Sequence, residues 1–135
     1  MTRVLRPETV PRGVLVLLAL SALAIAVGGL EHARLFHRGY SAVGVVGPLF
    51  ALNAIGSAVA ILLLVFARPT LFVLAALGIS IGSLVSIFIS HSSSFFGFAE
   101  GGYDGSATVI VVAEIASVVL IVLAVAVNER LGAGR

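Results

Sequence analysis

The stretch Ala107–Val127 is apolar for long enough to cross a bilayer and carries a single charged side chain, Glu114, about two turns inside it. A carboxylate at that depth is expensive to leave against hydrocarbon, so it must face protein, water, a cation or a proton. Whatever the rest of the chain folds into has to supply that environment.

Three further runs, 13–30, 48–67 and 71–89, have the length and apolarity of membrane spans. Hydrophobic residues make up 60% of the 135 and charged residues 10%, against about 25% charged in a soluble domain. Too little polar surface remains to coat a water-soluble globule. The expected architecture is therefore all-α: one domain, 1–135, folded as an integral membrane four-helix bundle. Pro48 suits the first turn of the second span, where its missing N–H is no loss. Arg68-Pro69-Thr70 is a minimal connection between the second and third. The basic start and the Ala-x-Ala sequences at 22–24 and 24–26 have the form of a secretory leader, but the first run is long for one and three spans follow it.

Orientation follows from the arginines, which are the only basic residues besides histidine. Arg3, Arg6, Arg12, Arg68, Arg130 and Arg135 fall at the termini and the 68–70 turn, and only Arg34 and Arg38 on the other side, which places both termini in the cytoplasm. His32, His37 and His91, with Glu31, Glu100 and Asp104, then lie on the outer face. Glu114 opens toward the same side, roughly 10 Å in. Scattered arginines at membrane edges and a net charge of +2 describe anchoring, and nucleic acid is not an expected partner. The absence of cysteine removes disulfides, thiolate metal sites and thiol redox chemistry.

In lipid, small residues at helical spacing mark where backbones approach closely. Gly78, Gly82, Ser86 and Ser90 form such a row on the third span, which reads as the most central helix. The other inward faces are expected at Ala19, Ala22, Ala26 and Gly29, at Asn53 with Gly56, Ser57 and Ala60, and at Ala113 and Ser117 beside Glu114.

Glu114, Asn53, Glu31, His32 and His91 are the expected lining of an outward-facing polar pocket. Such a pocket can take a cation, a proton or a lipid headgroup; alternatively, the carboxyl fixes helix packing by bonding to Asn53, a serine or a histidine. His32 and His91 with Glu114 offer nitrogen and oxygen ligands of the kind a divalent metal such as zinc accepts, though no pair has the spacing of an established metal motif. Arg34 and Arg38 share a helical face and, with Tyr40, can hold a phospholipid headgroup or anchor the chain at the interface. Glycines 97, 101, 102 and 105 stand among Phe95, Phe96, Phe98 and Tyr103 without the Lys-Ser/Thr of a phosphate loop, and are expected to fold this segment back over the bundle mouth.

His37-Arg38-Gly39-Tyr40, Gly47-Pro48-Leu49-Phe50-Ala51-Leu52-Asn53, and Phe96-Gly97-Phe98-Ala99-Glu100 leading to Glu114 resemble a group of small four-span membrane proteins from actinobacteria. In architecture alone the chain is more distantly similar to the DoxX-like membrane proteins. The resemblance covers most of the chain and implies a bacterial plasma membrane and an all-helical fold, with no functional residue to carry over. Three classes of function follow. One is a binding or accessory protein built round the Glu114 pocket, and another is a structural or assembly subunit of a homo-oligomer or larger membrane complex. The third, a metal- or quinone-dependent membrane enzyme, has no motif behind it.

Overall fold

The computed structural model describes residues 10–94, 96–99, 101–102 and 104–133. Arg3, Arg6, Phe95, Glu100, Tyr103 and Arg135 lie outside them. Four helices run through these residues: α1 (Arg12–His37), α2 (Val46–Val65), α3 (Pro69–Ser92) and α4 (Gly105–Ala133), with a 3-10 turn at Tyr40–Ala42 and no strand among the described residues. All four helices are long and apolar enough to cross a membrane. This is the architecture of a small multi-pass membrane protein.

The helix ends differ from the expected spans for local reasons. The first span was expected to stop at residue 30, but α1 continues to His37. Glu31 and Arg34, one turn apart, close an ion pair in which Nη1 donates to both carboxylate oxygens at 3.0 and 3.1 Å. The helix gives way only at Gly39, whose φ of +127° suits a residue without a Cβ. α2 starts as expected with Pro48 in its first turn. It ends in a left-handed cap at Ala67 (φ 55°), with Arg68 N–H donating to Leu63 O at 2.8 Å and Ala67 N–H to Leu64 O at 3.0 Å. Pro69 then opens α3 at once.

At α4 the start is set by Asp104, whose Oδ1 accepts the Ala107 N–H at 2.8 Å while its carbonyl accepts the Thr108 hydroxyl at 2.8 Å. Asp104 is thus an N-cap. Asp104→Ala is expected to destabilise the protein by about 1 kcal/mol and to speed amide exchange in the first turn of α4 only, read by hydrogen exchange in detergent.

The buried positions define the packing. Among them are the rows Val14, Leu18, Ser21, Ile25, Gly28 and His32 on α1, Ile110, Glu114, Ser117, Ile121 and Ala124 on α4, and Pro69, Val73, Ala76, Ser80 and Ser83 on α3. Steps of three and four alternate, as in a left-handed bundle seam. α1 is the central helix, packed most extensively against α4 and α2. This corrects the assignment of α3 to the centre. On α1 the seam also differs from the expected row, of which Ala19 is exposed and Gly29 alone is buried.

The interior divides by height. Toward the termini and the Arg68 turn it is filled by Val14, Leu18, Ile25, Ala60, Phe72, Val73, Ala76, Ile121 and Ala124. The other half, beneath the 38–45 and 93–104 connections and here called the distal half, buries Glu114, Ser80, Ser83, Ser57, Ser90 and His32. Outside that half the buried polar residues are Ser21 and Ser117.

Candidate functional site

Glu114 occupies an inward seam position on α4 and is 1% exposed. Room for its carboxyl comes from α1. A Cβ at Gly28 would stand 3.1 Å from Oε1, and the next residue, Gly29, brings α1 equally close to α2, where a Cβ would stand 2.7 Å from Ser57 Cβ. The two consecutive glycines therefore let α1 lie between α4 and α2 at the level of the carboxyl. Deeper in the bundle the Ser21 and Ser117 hydroxyls pair at 3.0 Å across the α1–α4 seam.

Asn53 of α2 and Ser80 and Ser83 of α3 complete the surroundings of the carboxyl, and no charged side chain acts on it. Ser57 Oγ donates to Asn53 Oδ1 at 3.4 Å. Glu114 Oε2 and the hydroxyls of Ser80 and Ser83 make no direct hydrogen bond. The two hydroxyls act on the carboxyl as its nearest polar neighbours, but not in the geometry of a formed hydrogen bond. An unsatisfied buried polar group costs about 1–3 kcal/mol, so three in one place call for a partner.

A cavity of about 300 Å³ lies between α2 and α3 in the distal half. Its walls are mostly apolar, with Leu49, Phe50, Ile79 and Ile87, and its polar lining is His32, Asn53, Ser83, Ser86 and Ser90. Asn53 and Ser83 belong to the cavity and to the carboxyl's surroundings alike, while Glu114 itself does not line the cavity. At its distal end, His32 meets Phe50 edge-on at 5.0 Å, Phe50 stacks on Tyr40 at 5.0 Å, and Tyr40 meets Phe98 at 5.8 Å. Phe98, from the connection after α3, also lines the cavity.

Of the expected site residues, Glu114 and Asn53 converge, and His32 lies on the cavity wall. His32 Nδ1 is 2.9 Å from Gly28 O; a carbonyl only accepts, so Nδ1 carries the proton. Glu31 is turned to Arg34 and to Ser106 of α4. His91 Nδ1 likewise donates to a carbonyl of its own helix, Ile87 O at 2.9 Å, and the residue is not part of the cavity lining. Among the described residues no three His, Asp or Glu side chains form a metal-ligand group. Of the three residues expected at a lipid headgroup, Arg34 is engaged by Glu31, Arg38 is exposed at the end of α1, and the Tyr40 ring belongs to the aromatic cluster.

The sequence reading missed Ser80, Ser83, Ser21 and Gly28. Each lies on a seam of alternating three- and four-residue steps, a pattern present in the sequence. The i+4 row on α3 drew attention instead. Each step of four advances about 40° beyond a full turn, so the row winds round the helix. Gly78 and Gly82 are exposed with nothing within 4 Å of an added Cβ, and only Ser90 is buried. The row lines the cavity wall rather than a helix contact. No protein-family model, curated protein or solved structure matches the chain.

Proposed function

We propose that this chain is a multi-pass protein of a bacterial plasma membrane, with both termini in the cytoplasm, that binds a cation or a proton at Glu114 in a binding or accessory role. The observation that carries this reading is the carboxyl itself, 1% exposed, surrounded by neutral oxygen-bearing side chains and paired with no positive group. A carboxylate so placed is stable only with a proton or a cation on it. The cavity provides the approach from the distal side, which the arginine asymmetry assigns to the cell exterior. Leu18, Ile25, Phe72 and Ile121 fill the bundle below it, which favours reversible occupancy over passage through a single copy.

Glu114→Gln tests this directly. In detergent the wild-type protein is expected to change its thermal midpoint with pH and salt composition, by several degrees across the titration, and the variant to lose that dependence while remaining folded. A wild-type midpoint indifferent to both would end the binding reading.

The exposed Gly78 and Gly82 favour a second reading, a subunit whose α3 packs against another membrane helix. Gly82→Leu separates the two: a subunit loses its assembly in mild detergent, read by light scattering, whereas a self-contained binding protein keeps its mass.

A further inference from the structure

Resting on the reading of Glu114 as a cation-binding carboxylate, we infer that the site is built for a monovalent cation of sodium type, coordinated by Glu114, Ser80, Ser83 and Asn53. Charge is the first reason. One carboxylate faces only neutral partners, Asn53 from α2 and Ser80 and Ser83 from α3, while α1 contributes Gly28. A monovalent ion makes this neutral as a unit. A divalent ion leaves one uncompensated positive charge in a low-dielectric interior, a penalty of several kcal/mol even after relaxation.

Donor chemistry is the second reason. The set is a carboxylate and two hydroxyls, with the Asn53 amide beside them, its oxygen accepting from Ser57; these are hard oxygens suited to hard cations, with no imidazole or sulfur donor to select zinc or copper. The neighbouring His32 has its Nδ1–H committed to Gly28 O and its ring packed on Phe50.

Unsatisfied oxygens are the third. Glu114 Oε2 and the Ser80 and Ser83 hydroxyls, at least nine-tenths buried, are neighbours yet close no hydrogen bond. Oxygens that share a cation need not hydrogen-bond one another, because the ion satisfies each of them. A proton engages one acceptor and leaves the remaining hydroxyls as they are; a cation engages all of them together. Asn53 and Ser83, shared with the cavity, give the ion its way in, past Ser86 and Ser90.

Sodium and a proton then compete for a single carboxylate, with no second titrating group facing it. The test is the thermal midpoint of the full-length protein in detergent, titrated with NaCl against choline chloride and against CaCl2 at matched ionic strength and several pH values. A saturable rise of several degrees with NaCl is expected, weakening as the pH falls. In Ser80→Ala and Ser83→Ala the NaCl concentration at half-effect should rise tenfold or more, while the pH dependence lost in Glu114→Gln is kept. These serine variants remove one oxygen each, so they retain the test if Glu114→Gln fails to fold. No response to NaCl beyond choline chloride, or a response to CaCl2 where NaCl gives none, overturns the inference. Loss of the sodium response alone, with a Glu114-dependent pH response intact, leaves proton binding standing; a protein blind to pH and to every ion removes both.

Discussion

Gly29→Leu is expected to push α1 away from α2 and to lower stability by about 2–3 kcal/mol, the upper part of the range for overpacking a tight interface. Any Cβ at this position would sit 2.7 Å from Ser57 Cβ and 2.9 Å from its Oγ, with Ala54 Cα at 3.8 Å behind. The leucine side chain has nowhere to go while the backbones keep their separation. Because α1 also borders Glu114 through Gly28, the displacement reaches the carboxyl's surroundings, so a loss of the pH response is expected together with the loss of stability. Gly82→Ala is the control. Its Cβ meets nothing within 4 Å, and the variant should unfold within a degree or two of wild type. Thermal unfolding of the two proteins in one detergent decides the matter; equal midpoints would show that α1 and α2 do not approach as described.

The second large effect is expected at the opposite end of the bundle. Phe72 is fully buried among Val14, Leu18, Ile121 and Ala124. In a soluble protein Phe→Ala costs about 3–5 kcal/mol, much of it from exposing apolar groups to water on unfolding. In a bilayer or micelle that transfer is largely absent, because a separated helix face meets hydrocarbon. What remains is the cavity: removing about 100 Å³ at ~24 cal/mol per Å³ gives about 2–3 kcal/mol. Phe72→Ala should therefore lower the thermal midpoint about as much as Gly29→Leu, yet leave the pH response of Glu114 intact, since the distal half is untouched. The two variants make a pair: similar destabilisation, opposite effects on the site.

Much of the fold is legible in the sequence, and the reason lies in the solvent. Apolar runs interrupted by Gly39, Pro69 and the Ser/Gly-rich 93–104 segment can only be spans and connections, and Pro48 and Pro69 sit where a helix tolerates them. Helix ends were less legible. The Glu31–Arg34 pair prolongs α1 and the Asp104 cap starts α4, and both are side-chain contacts that hydropathy does not report. Rotation of the helices was least legible. Lipid-facing and inward-facing positions are equally apolar here, so no amphipathic stripe separates them. The difference lies in which small and polar residues keep a three-and-four rhythm. Glu114 and Asn53 were found because their chemistry is conspicuous in an apolar run. Ser80 and Ser83 stood among other serines on α3 and became identifiable only once α4 placed a carboxyl opposite them.

Cysteine is absent from the chain, so single-cysteine accessibility can be measured without removing any native residue. Ser93→Cys and Ser41→Cys lie at the distal end and Ala67→Cys at the opposite turn; all three positions are exposed. In intact cells a membrane-impermeant maleimide should modify the first two, and should modify Ala67→Cys only after the membrane is permeabilised. Labelling of Ala67→Cys in intact cells, with the distal pair protected, would place the Glu114 site on the cytoplasmic side. Free labelling of all three would mean that the helices do not span the membrane.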